Sequence, residues 1–176
     1  MTKPSYKTNL KEITTFIFDI DGVITDGILI MHPSGEFLRN MSVKDGYAIK
    51  QAINNGYNVF IISGGESKSM KKRLQFLGIK EVYMGVSNKE KVYRKLKKKY
   101  KLTNKEVIYM GDDIPDLGVL GKVGISSCPQ DAVQEVREVC EYVSHYAGGK
   151  GAVRDVIRQV LKVNNQWNVS SNVQAN

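Results

Sequence analysis

The chain has 176 residues, enough for one domain with a full core and too few for two. Hydrophobic residues make up 41% and charged residues 25%, an ordinary balance that argues against disorder, and no run of about 18 apolar residues is present to cross a bilayer. The net charge of +8 gathers at Lys68, Lys71, Lys72 and Arg73 and again from Lys89 to Lys101, where aromatic residues do not alternate with the bases; a solvated helix face is expected there, with no nucleic-acid or membrane partner.

The opening segment MTKPSYKTNLKEITTF is charged and lacks the apolar stretch of a secretory signal. Thr14 to Asp19 then reads as a buried strand. Ile28 to Met31 and Glu36 to Met41, around the Pro/Gly turn at 32–35, read as a β-hairpin. Ser42 and Asp45 resemble a capping box ahead of Tyr47, Ala48, Ile49, Ala52 and Ile53 at helical spacing, with Gly56 as the stop. Val59 to Ser63 is a second strand. Ser67 to Leu77 is a helix with Met70, Leu74 and Leu77 on one stripe, and Glu81 to Met84 is a short strand. Ser87 and Glu90 form a cleaner capping box for a lysine-rich helix reaching about Tyr100. Strands at Glu106 to Met110 and Val123 to Ile125, and helices at Ala132 to Val139 and Gly151 to Val163, complete the series.

This alternation predicts an α/β fold: a Rossmann-like, doubly wound parallel sheet with a small hairpin insertion at about 28–41 and no large cap domain. A single domain is expected over 1–163, followed by a mobile polar tail over 164–176 with Trp167 as the exception. The two cysteines, Cys128 and Cys140, fit neither a disulfide framework nor a metal knuckle. Reduced thiols and a cytoplasmic location are expected.

In open α/β sheets the site forms beyond the carboxyl ends of the strands. Asp19, Asp21 and Gly22 follow the first strand; Ser63, Gly64 and Gly65 follow the second; Lys89 opens the helix after the third; Gly111, Asp112, Asp113 and, one turn on, Asp116 follow the fourth. Carboxylates crowded at one sheet edge stay ionised only around a cation, and all-oxygen ligation suits Mg2+, which also bridges phosphate oxygens. Ser63, the glycine turn and Lys89 can hold a phosphoryl group, one carboxylate can attack phosphorus, and another can move the proton of the leaving oxygen.

The segment Phe18 to Gly27 (FDIDGVITDG), with Ser63, Lys89 and the GDDIPD run from Gly111 to Asp116, resembles the four motifs of the haloacid dehalogenase superfamily, from about Ile13 to Lys162. The resemblance implies Asp19 as nucleophile, Asp21 as general acid and base with its backbone carbonyl on the metal, and Asp112 as the third protein ligand of magnesium. It implies Asp113 and Asp116 as supporting carboxylates, and Ser63, Gly64 and Lys89 as phosphate-binding groups. The hairpin, SVKDGYAI, GVSNK and AGGKGAVRDVI from Ala147 to Ile157 further resemble the capless family of 3-deoxy-D-manno-octulosonate 8-phosphate phosphatases of lipopolysaccharide precursor synthesis. That likeness implies a sugar acid phosphate as substrate and a homotetramer in which neighbouring subunits close the site.

Gly65, Glu66, His32, Lys150 and Arg154 are candidate substrate or intersubunit contacts. Two of these regions depart from the family pattern, which often carries Arg where this chain has Gly65 and Glu66, and again where it has Lys150. A phosphatase for a nine-carbon nonulosonate 9-phosphate is therefore the alternative, and a basic nucleic-acid-binding module on an idle scaffold is the reading from a different class.

Overall fold

The structure is a computed structural model that describes residues 5–167. A short helix α1 (Tyr6–Asn9) leads into β1 (Thr15–Phe18), the hairpin strands β2 (Ile30–Met31) and β3 (Phe37–Leu38), and α2 (Val43–Asn54). Then come β4 (Asn58–Ile62), α3 (Lys68–Phe76), β5 (Glu81–Tyr83), α4 (Lys89–Tyr100), β6 (Val107–Met110) and α5 (Leu117–Leu120). The chain continues through β7 (Ile125–Cys128), α6 (Gln134–Val139), β8 (Tyr142–Val143) and α7 (Ala152–Val163).

Six strands form one sheet in the order β5-β4-β1-β6-β7-β8, every pairing parallel. The four residues of β1 are all buried, as expected for a strand covered on both faces. Their alternation divides the core. Phe16 and Phe18 pack with Ile49, Leu74, Val156 and Ile157 of α2, α3 and α7, while Ile17 packs with Tyr93, Leu96, Val119 and Val136 of α4, α5 and α6. This is the doubly wound sheet that the alternating pattern predicts. Met70, Leu74 and Leu77 are buried together as their spacing requires.

Several local expectations need correction. The last predicted strand lies at Ile125–Cys128 instead of Val123 to Ile125, and β8 was not foreseen. The ISSC stretch looks too polar for a core strand. However, Ser127 is buried because its hydroxyl donates to the Tyr109 carbonyl at 2.8 Å. The hairpin pairs only Ile30 with Leu38 and Met31 with Phe37, shorter than its apolar content suggests, and Thr25 bridges Met41 at its base.

Two capping boxes also resolve differently. Asn88, not Ser87, caps α4 by accepting from the Lys91 N–H at 2.9 Å, while Glu90 pairs with Arg94 and Lys122. Ser42 does cap α2, accepting from Asp45 N–H at 3.3 Å, but Asp45 does not return the bond. Its carboxylate is fully buried and accepts instead from the Arg154 N–H of α7 at 2.8 Å. The residue before α7 is Gly151, which has no side chain to cap with, so Asp45 supplies the cap across the helix pair.

Asn164, Gln166 and Trp167 at the start of the polar tail are docked: Asn164 donates to the Tyr57 hydroxyl, which donates to Gln166, and Trp167 packs edge-on to Tyr47. Residues 168–176 of that tail lie outside the described residues.

Candidate active site

Strand register brings the candidate residues together. Phe18 pairs with Ile61 of β4 on one side and Met110 of β6 on the other, so the residues just beyond these strands share one edge. Asp19 N–H donates to the Met110 carbonyl at 3.1 Å, extending the ladder one step, and Ser63 and Asp112 follow on the flanking strands. Beyond Asp19 the chain makes one wide turn, closed by Thr25 N–H on the Ile20 carbonyl at 2.9 Å. Gly22 occupies φ +81° in that turn, and a Cβ there would collide with the Asp112 carboxylate, so only glycine lets the first and fourth segments meet. The glycine-rich run at 147–151 docks on this turn from outside, Gly149 N–H donating to the Val23 carbonyl at 2.9 Å.

A cavity of about 640 Å³ opens at this edge. Asp19, Asp21, Ser63, Lys89, Asp112 and Asp113 all line it, together with Gly64 and Gly65. Asn88, Glu90 and Gly118 complete part of the wall and were not among the site candidates expected from sequence.

Lys89 is the pivot of the charge arrangement. Its side chain is 6% exposed, and its Nζ donates to Asp19 at 2.6 Å and to Asp116 at 2.8 Å. Burial disfavours its charge, but Asp19 and Asp116 outweigh that and raise its pKa above the usual lysine range. Asp19 Oδ1 accepts from Ile20 N–H at 2.6 Å. Burial, with the Asp116 charge, pushes the Asp19 carboxyl up to about 6 against the opposing pull of Lys89. Burial, with Asp19 and Asp116, pushes Asp112 up to about 8.

Asp116 is fully buried and saturated with donors: Lys89 and the Tyr109 hydroxyl on Oδ1, and the N–H groups of Asp112 and Asp113 on Oδ2. It anchors Lys89 and the acidic turn. Asp113 caps that turn, accepting from Ile114 N–H at 2.7 Å.

The donor set fits a hard divalent cation. Carboxylate oxygens of Asp19, Asp112 and Asp116 lie within 4.8 Å of one another. Because Asp116 is already saturated, the ligand-ready group is Asp112, whose Oδ1 is buried with no hydrogen-bond partner. Three carboxylates face one ammonium here, a charge deficit that Mg2+ would balance with oxygen ligands alone.

Asp21 holds an ion pair that sequence reasoning missed. Arg39, just past β3, donates from Nε to Asp21 Oδ1 at 2.6 Å and from Nη2 to Oδ2 at 3.1 Å. The only sequence signal was that Arg39 is the one Lys or Arg in the hairpin over 28–41.

The remaining candidates are not gathered into the cavity of this chain. His32 sits in the hairpin turn with its Nδ1 2.8 Å from the Ser34 hydroxyl. Glu66 lies against Gly85, and Lys150 stands 3.7 Å from Asp26. Arg154 is stacked over the rings of Tyr47 and Trp167, at 5.5 and 5.0 Å.

Comparison with known proteins agrees with this arrangement. A family profile described as haloacid dehalogenase-like hydrolase matches residues 81–157. The chain is similar to the 3-deoxy-D-manno-octulosonate 8-phosphate phosphatase KdsC of Salmonella typhimurium, 39% identical over 90% of this chain and 84% of that protein. It is also similar to the crystal structure of the Yersinia pestis 3-deoxy-D-manno-octulosonate 8-phosphate phosphatase, with TM-score 0.92 and 32% identity over 98% of this chain and 93% of that one. The Moraxella catarrhalis phosphatase of the same name, solved with magnesium ion, phosphate ion and KDO, matches with TM-score 0.88 and 30% identity over 92% and 93% of the two chains. The sheet, its acidic edge and these likenesses together show that the chain belongs to the haloacid dehalogenase-like hydrolases and, within them, to the 3-deoxy-D-manno-octulosonate 8-phosphate phosphatase family.

Proposed function

We propose that this phosphatase converts 3-deoxy-D-manno-octulosonate 8-phosphate to the free sugar acid and inorganic phosphate, using Mg2+ and an aspartyl phosphate on Asp19, as a step toward lipopolysaccharide precursors. The observation that carries this reading is the buried Asp19–Lys89–Asp116 cluster at the floor of a cavity that also holds Asp21, Ser63 and Asp112.

In the proposed reaction, Ser63, the Gly64 turn and Lys89 hold the phosphoryl oxygens. Asp19 attacks phosphorus, the ester P–O bond breaks, and the leaving oxygen takes a proton from Asp21. Asp21 then takes a proton from water as that water attacks the acyl phosphate, returning free Asp19 and inorganic phosphate. The carboxylates of Asp19 and Asp112 and the backbone carbonyl of Asp21 would hold magnesium, which would supply positive charge against the phosphoryl oxygens. Asp113 and Asp116 support the site without touching substrate.

Residues 1–163 act as one domain on this reading, working in the cytoplasm, where the free thiols of Cys128 and Cys140 stay reduced. The chain assembles as a homotetramer in which neighbours close the cavity. Ile28, Leu29, Ile30, Met31, Phe37 and Leu38 support this, because they leave the hairpin with an exposed apolar face. His32, at the tip of that hairpin, would then reach a neighbour.

Phosphate release from 3-deoxy-D-manno-octulosonate 8-phosphate, nonulosonate 9-phosphates and simple sugar phosphates, with and without Mg2+, tests the proposal. Preference for the octulosonate ester, lost on chelation, is expected. Preference for a nine-carbon ester would move the substrate and keep the chemistry; no metal-dependent release would sink both.

A further inference from the structure

The hairpin arm is tied to the body in an unusual way. Its large apolar side chains face outward, and among the described residues the ion pair of Arg39 with Asp21 is the only one that reaches residues 28–39 from the rest of the chain. The Arg39 side chain is 4% exposed although its backbone lies on an open arm. An arginine buried this far from an exposed strand is held for its partner. Its Nη1 also donates to the Phe37 carbonyl at 3.1 Å, fixing the plane of the guanidinium.

The pair is two-pronged. Nε and Nη2 each take one oxygen of Asp21, so both the position and the rotation of the carboxylate are set. Asp21 nevertheless stays one-third exposed and lines the cavity. Gly65 leaves the room this needs. A Cβ at Gly65 would stand 2.6 Å from Asp21 Oδ2 and 3.2 Å from Arg39 Nη2, so any side chain there would push the pair apart.

We propose that Arg39 is a positioning residue: it aims the Asp21 carboxylate at the leaving oxygen of the substrate, and Gly65 is small so that it can. The inference rests on the proposed acid–base role of Asp21. A carboxylate tied only through its own χ angles would sample several directions, whereas proton transfer needs the oxygen within about 2.6–3.2 Å of the reacting atom. The arm thereby supplies a group that acts on the first bond-breaking step without touching the substrate.

Leaving-group dependence separates this role from a general structural one. An alkyl phosphate expels an oxygen that needs a proton as the P–O bond breaks, while p-nitrophenyl phosphate expels a phenolate that needs none. First-turnover release of the leaving group is measured for both esters with wild type, Arg39→Ala, Arg39→Lys and Asp21→Asn. Arg39→Ala is expected to slow alkyl release by about 10²-fold and to change p-nitrophenolate release by no more than about threefold. Arg39→Lys is expected to recover part of the loss, because one of two hydrogen bonds remains. Equal loss on both esters in Arg39→Ala, or no loss on either, would overturn the proposal. If Asp21→Asn itself shows no leaving-group selectivity, the acid–base assignment falls first. If Asp21→Asn is selective and Arg39→Ala is not, only the role of Arg39 falls.

Discussion

The sheet edge and the hairpin arm stand next to each other and are built on opposite terms. At the edge, Asp116 accepts four hydrogen bonds, Lys89 spans two carboxylates, and the surrounding strands are buried on both faces. On the arm, two pairs of residues hold the strands together and Met31 is 80% exposed. The edge draws its charged cluster from one chain, while the arm carries exposed apolar surface of the kind that marks a contact with another body. On the proposed reading, chemistry and assembly are largely separate in this molecule, and Arg39 is where they touch.

Replacement at the edge should break one side of that comparison alone. Asp19→Asn is expected to reduce turnover on the order of 10⁴-fold or more while the fold and assembly persist, since the amide keeps the shape of the carboxylate. Steady-state kinetics and light scattering on the same sample check this; a near wild-type rate would remove Asp19 from the mechanism. Replacement on the arm should do the reverse. Met31→Ser with Phe37→Ser is expected to dissociate the proposed tetramer and to lower kcat/KM about tenfold by leaving the cavity open to water. A tetramer that survives these changes would show that the arm is not the interface.

The smallest effect concerns neither region directly. Asp45→Ala removes the cap of α7 and is expected to cost about 1 kcal/mol in urea unfolding with an unchanged m-value. Burial raises the Asp45 pKa despite the Arg154 N–H bond. The folded state thus holds the proton more tightly than the unfolded state. The Asp45 contribution is fullest below the ordinary aspartate range and shrinks as pH rises through the folded value. The loss in Asp45→Ala should accordingly be larger in acid than at neutrality; a loss that grows with pH would contradict this account.

The contrast also explains what could be read from the chain. Asp19, Ser63, Lys89 and Asp112 were legible because each follows a short apolar strand or opens the next helix, and a parallel sheet delivers such residues to one edge whatever its details. Arg39 was not, because its meaning depends on an arm folding back across Gly65, an arrangement with no local periodicity. Asp45 was misread for a similar reason. Three residues after Ser42 it fits a local cap, and only the absence of a side chain at Gly151 reveals the helix it serves. β8 was missed because it is only two residues long and joins the sheet through β7 alone, too short to show a periodic pattern.

The ion pair between Asp19 and Lys89 spans 70 residues of sequence, and Lys89 in turn needs Asp116. A ribosome adds Asp19 early and its charged partners several seconds later, at roughly 5–20 residues per second. Through that interval the growing polypeptide has Asp19 without the lysine or the acidic turn that set its charge. The buried cluster of Asp19, Lys89 and Asp116 can therefore close only after residue 116 has been added to the chain.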